Sequence, residues 1–126
     1  MIDIQDLPAD PLDHPARPGA GVRLCAVEEL DDPGTKGFEF RVGDRRFFAF
    51  LVQHAGQVRG FVNSCPHVGW PLAMDGGFLT RTGEHIFCSV HGALFDFEGE
   101  AVTAPCMGQA LTVWPIAVHD GVVFTT

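Results

Sequence analysis

The sequence predicts an all-β fold, a small antiparallel sandwich or partial barrel. Two observations carry that prediction. Short apolar runs recur along most of the chain, and glycine-bearing turns separate them. No stretch shows a sustained helical period beyond a single turn expected at 27–30. With 126 residues, 46% of them apolar, the chain is long enough for one domain with one real core.

The elements follow in order. Residues 1–21 carry Pro8, Pro11, Pro15 and Pro18, a spacing that forbids a helix and predicts an extended or loosely ordered N-terminal arm. A first strand is expected over 21–27. Residues 38–42 and 46–54 form an expected hairpin through Gly43-Asp44, and 57–63 follows the tight turn His54-Ala55-Gly56. Further strands are expected at 85–88, 94–97, 110–118 and 122–125, with turns at Phe97-Glu98-Gly99 and His119-Asp120-Gly121. Asp-Gly between two apolar runs is the strongest short hairpin signal. Phe38, Phe40, Phe48, Phe50, Phe61 and Phe87 fall in alternating strand patterns and are candidate core residues.

Charge and hydropathy exclude several functions. The net charge is −8, and all eight basic residues lie at or before Arg81. From Thr82 onward there are five acids (Glu84, Asp96, Glu98, Glu100, Asp120) and no cation, which argues against nucleic-acid binding and suits a basic protein partner. The longest apolar run, 47–52, cannot cross a bilayer, so no membrane association is expected. The N-terminus has neither the basic nor the apolar part of an export signal, so a cytoplasmic, reducing location is expected. In such a compartment patterned cysteines more often bind metal or do redox chemistry than form disulfides.

Two segments break the strand rhythm. One reads Cys65-Pro66-His67-Val68-Gly69-Trp70-Pro71-Leu72, the other Cys88-Ser89-Val90-His91-Gly92. The pattern is C-x-H, twenty residues, then C-x-x-H. Each segment offers one thiolate and one imidazole, so together they can satisfy a zinc ion or an iron–sulfur cluster. Zinc fingers usually pair Cys with Cys and His with His along the chain, whereas here the types are mixed within each segment.

This arrangement resembles the Rieske [2Fe-2S] family, over about 58–125. The resemblance implies one [2Fe-2S] cluster per chain. Cys65 and Cys88 would hold the inner iron, and His67 and His91 the outer, solvent-facing one. Gly69 and Gly92 would let the backbone approach the cluster, and Ala104-Pro105-Cys106-Met107-Gly108 resembles the family's third, proline-bearing loop. The implied division is an arm over 1–21 and a Rieske domain over 22–126, with cluster loops at 64–74, 88–93 and 104–108. Two ferric ions, two sulfides, two thiolates and neutral imidazoles sum to zero charge, so adding an electron costs less than at a four-thiolate site.

Departures from the family's respiratory branch are informative. That branch carries an extra disulfide, where this chain has Trp70 and Val90. It also places Ser and Tyr hydroxyls against the cluster, where this chain has Ala93 and Phe95 and no Tyr anywhere. Hydrogen bonds to cluster sulfur favour the reduced state, so their loss predicts a low potential. The implied function is a soluble one-electron carrier between a ferredoxin reductase and a terminal oxygenase, with no catalysis of its own. The alternatives are the Rieske part of an oxygenase, or a structural or redox-sensing subunit such as the small subunit of a nitrite reductase. Cys25 and Cys106 read as buried free thiols. His14, His54, His85 and His119 read as surface or hydrogen-bonded histidines, and Trp70 shields the site, helps dock a partner, or simply packs.

Overall fold

Strand β3, Arg45–His54, organises the molecule because both of its faces are buried. The computed structural model describes residues 12, 14–63, 84–87, 94–103 and 110–126. Eight strands lie in these residues. They are β1 (Arg23–Ala26), β2 (Gly34–Val42), β3, β4 (Gln57–Val62), β5 (Ile86–Phe87), β6 (Leu94–Phe95), β7 (Ile116–His119) and β8 (Val122–Thr125). They form three antiparallel sheets, ordered β1-β8-β7, β2-β3-β4 and β5-β6. The fold is all-β, as the sequence predicts. Its one helical element among the described residues is a 3-10 turn at Val27–Glu29. No helix among the described residues is long and apolar enough to cross a membrane.

The two faces of β3 belong to two cores. Phe47, Ala49 and Leu51 pack with Cys25, Leu30, Val62, Trp114 and Val123, joining the β2-β3-β4 sheet to the β1-β8-β7 sheet. Phe50 and Val52 point the other way and pack with Phe61, Ile86, Phe95, Phe97 and Leu111. A continuous apolar run is what a strand buried on both faces requires. The candidate Phe48 is half-buried, whereas its neighbour Phe47 is fully buried against Trp114 with ring centroids 6.0 Å apart.

Several boundaries differ from the expected ones. Strand β2 starts at Gly34 rather than 38, because Lys36 and Gly37 continue the ladder opposite Leu51 and Phe50. Strand β6 stops at Phe95. There the Asp96 carboxylate accepts the main-chain N–H groups of Glu98 (2.9 Å) and Glu100 (3.0 Å) and turns the chain. The expected strand 110–118 is divided. Its first part borders β4, with Val62 N–H donating to Thr112 O and Trp114 N–H to Gly60 O, both at 2.9 Å. After Pro115, which has no N–H to donate, the chain changes sheet and pairs with β8 as β7. The close approach at Trp114 explains Gly60, since a Cβ there would lie 2.5 Å from the Trp114 carbonyl oxygen.

The hairpin turns follow their sequences. Asp120 and Gly121 both take positive φ (51° and 75°), the pairing an Asp-Gly hairpin favours. At the β3–β4 turn Ala55 and Gly56 do the same (52° and 78°), although Ala55 has no polar side chain to support it. Asp32 supplies that support from outside, accepting N–H groups from Ala55 (3.0 Å) and Gly56 (2.9 Å). The described part of the N-terminal arm is tied down. Ala16 is buried in the Trp114 core, and the Thr125 hydroxyl accepts from Val22 N–H and donates to Gly19 O.

Candidate metal centre

Cys65, His67, Cys88 and His91 lie outside the described residues, as do Gly69, Trp70, Val90, Gly92, Ala93 and the stretch 104–109 with Cys106. What the structure gives is the frame that holds the ends of those segments. β4 delivers the chain to Asn63, a buried residue whose N–H donates to Phe48 O at 2.9 Å. The next described residue is Glu84, two before β5. Phe61 near the first end and Ile86 near the second share one buried cluster.

The second frame is tighter. Phe87 and Leu94 are cross-strand partners, so the two ends of the stretch holding Cys88 and His91 sit side by side. Leu94 is bound a second time. Its N–H donates to the Thr103 hydroxyl at 2.9 Å, and its carbonyl accepts from Val102 N–H at 2.8 Å. The chain therefore enters 104–109 beside the mouth of 88–93, and returns at Ala110 as the bridge partner of Glu100. The Leu94–Thr103 tie has no signal in the sequence, because it depends on the register of the turn made by Asp96. Phe95, the first residue past Leu94, is fully buried and carries a phenyl ring with no hydroxyl.

Elsewhere the described residues offer no rival set of donors. Among them no three His, Cys, Asp or Glu side chains gather where a metal could be held. His14 Nδ1 accepts the Ala16 N–H at 3.0 Å while its ring lies against Phe47. Burial, and then the nearby Arg45, hold its pKa below the ordinary imidazole value. His54 stacks on Phe97, with centroids 3.9 Å apart and planes parallel. Cys25 is buried and free, and burial pushes its thiol pKa up, as suits an inert core thiol. An open groove of about 480 Å³ runs between β4 and Trp114–Ile116, with Arg59 and Glu98 on its lining and no Cys or His.

The profile of the Rieske [2Fe-2S] domain matches residues 21–118. The chain belongs to the Rieske [2Fe-2S] domain family. It accordingly binds a [2Fe-2S] cluster. Solved structures share this fold. The ferredoxin of carbazole 1,9a-dioxygenase from Nocardioides aromaticivorans IC177 is 20% identical, with a TM-score of 0.61 over 84% of this chain and 96% of that one. A Sphingomonas yanoikuyae B1 ferredoxin is 25% identical, with a TM-score of 0.56 over 82% and 94%. A chain from the complex of reduced oxygenase and oxidized ferredoxin in carbazole 1,9a-dioxygenase is 22% identical, with a TM-score of 0.61 over 82% and 89%.

The chemistry of the available donors fits such a cluster. Two thiolates and two imidazoles stand in two segments, and the structure holds the ends of the second as a cross-strand pair. A third segment starts at the same mouth.

Proposed function

We propose that this Rieske domain is a low-potential one-electron carrier that takes electrons from a ferredoxin reductase and passes them to a terminal oxygenase, without catalysing a reaction itself. Cys65 and Cys88 hold the inner iron, and His67 and His91 the outer one. The cluster supplies reversible one-electron chemistry with no open coordination position. Residues 22–126 make up the cluster domain and 1–21 the arm, and the cytoplasm is the compartment that suits its unpaired Cys25.

The observation that carries the low-potential part is Phe95. The hydroxyl that the respiratory branch directs at its cluster is replaced here by a buried phenyl ring beside the 88–93 segment. With fewer donors to cluster sulfur, the reduced and more negative state is stabilised less. The partner assignment is supported by the similarity to the ferredoxin of carbazole 1,9a-dioxygenase and by a solved complex of ferredoxin with oxygenase. The acids Glu84, Glu98 and Glu100 are exposed and would steer a basic docking surface.

Iron and acid-labile sulfide content, the EPR spectrum of the dithionite-reduced protein and a redox titration test this reading together. The expected result is two irons and two sulfides per chain, a Rieske-type signal and a midpoint near the lower end of the family's span, about −150 mV. A strongly positive midpoint would refute the low-potential assignment. Zinc in place of iron would refute the ligand assignment.

A further inference from the structure

Strand β2 is the longest exposed edge in the described part of the molecule. Over its nine residues it pairs with β3 on one side, and over 36–42 no described residue is seen to bond its other side through the backbone. An edge of this length is a template for another strand unless something blunts it. Its two ends differ. Near Lys36 the edge is flanked by Glu29, whose carboxylate lies 3.9 Å from the Lys36 ammonium. Among the described residues the half from Phe38 to the Gly43-Asp44 turn has no such neighbour, and Val42 is 56% exposed.

The residues of this half are self-complementary in one antiparallel register. If Phe40 lies opposite Phe40 of a second copy, Glu39 falls opposite Arg41, Phe38 opposite Val42, and Lys36 opposite Asp44 in the other copy's turn. Neighbouring registers fail. Centring on residue 39 sets Glu39 against Glu39, centring on 41 sets Arg41 against Arg41, and centring on 38 matches no charges. The alternation supports the same register. Phe38 and Phe40 lie half-buried on the side of the Trp114 core, while Glu39 and Arg41 lie exposed on the opposite face. Pairing would therefore extend the apolar side of the sheet across both copies and cover Val42. Within one chain Glu39 already faces both Arg41 (3.2 Å) and Arg46 (3.5 Å), so two guanidiniums share one carboxylate. A second copy gives each Arg41 another.

We infer that two copies of this chain associate through β2 about a two-fold axis at Phe40, joining their β2-β3-β4 sheets into one of six strands. A contact of five paired residues per copy is small, so the dimer is weak and populated at roughly 0.1–1 mM protein. Its charged pairs are exposed and screened by salt.

Sedimentation of the cluster-loaded protein over that concentration range, in low and high salt, tests the inference. The expected result is a concentration-dependent dimer that weakens as salt rises. Glu39→Arg sets two arginines against each other at both pairs and should weaken association roughly tenfold. The double variant Glu39→Arg with Arg41→Glu restores opposite charges in the same register and should recover the dimer. Thermal melts show that both variants remain folded. A monomer at every concentration overturns the inference. So does a Glu39→Arg protein that associates as well as the parent, or a folded double variant that stays monomeric.

Discussion

The two sides of β3 are built differently. On the Trp114 side, long ladders meet: nine paired positions between β2 and β3, and a second sheet closed by β8. Phe47, Phe40 and Phe38 surround Trp114 with ring centroids 6.0–6.1 Å away. On the Phe61 side, the partners are two-residue strands and isolated bridges. That side holds ends of the three segments outside the described residues, 64–83, 88–93 and 104–109, which carry the proposed cluster ligands and third loop. A rigid ladder on one face thus carries short, loop-rich structure on the other, the usual division between scaffold and functional loops. The Trp114 side is the one on which global stability should depend, and the Phe61 side the one on which the frame of the proposed cluster segments should depend.

Truncating Trp114 gives the largest expected effect. Trp114→Ala removes a fully buried indole from the centre of the Trp114 core and should cost about 3–5 kcal/mol in urea unfolding followed by far-UV circular dichroism. Loss should appear in hydrogen exchange across β3 and β8 together. If β8 kept its protection while β3 lost it, the two sheets would not share one core.

Gly99→Ala strikes the other side. Gly99 has φ +89° and a Cβ there would lie 2.6 Å from Phe61 Cε1, so the substitution combines backbone strain with a clash against an aromatic ring. It should cost about 2 kcal/mol. The loss of exchange protection should be confined to 94–103 and 110–111, with β8 spared. A uniform loss would show that the two cores unfold as one.

Phe95→Tyr keeps the buried ring and adds only a hydroxyl, so it should disturb the fold less than Gly99→Ala and act on the chemistry instead. On the proposed reading the new hydroxyl donates to cluster sulfur and should raise the midpoint by about 40–60 mV, the equivalent of one hydrogen bond of about 1 kcal/mol in a one-electron couple. An unchanged midpoint in a protein of unchanged cluster content would remove Phe95 from the argument for the proposed low potential.

These differences set what the sequence could reveal. The Asp120-Gly121 and Gly43-Asp44 turns were legible because glycine and aspartate are demanded by local backbone conformation. The family was legible in the paired C-x-H and C-x-x-H segments, because ligand chemistry constrains residue type and spacing, while the ligand roles of Cys65, His67, Cys88 and His91 remain part of the proposal. The break at Pro115 was visible as a proline yet overridden by the alternation of Leu111, Val113 and the residues after it. The two-sided burial of β3 was present in the run 47–52, but a run of that length reads equally as one crowded face. The Leu94–Thr103 tie and the Asp32 support of the Ala55 turn could not be read, since each joins residues whose proximity only the folded register creates.

The Asp32 contact gives the smallest effect and a definite sign. Main-chain N–H groups of Gly56 and Ala55 hold its carboxyl below the ordinary aspartate value, the Gly56 bond being the larger cause. A carboxyl whose folded pKa is depressed contributes stability above its unfolded pKa, about 3.9, and loses it as pH falls through the lower folded value. Asp32 is exposed, so the contribution is small. Thermal melts between pH 7 and pH 3 should show a shallow loss at the acid end for the parent protein. Asp32→Asn should start slightly lower at neutral pH, keeping an acceptor but no charge, and should lose less on acidification. If the two profiles run parallel, the acid loss comes from other carboxylates. If Asp32→Asn is as stable as the parent at neutral pH, the Ala55-Gly56 turn holds its left-handed pair without outside support.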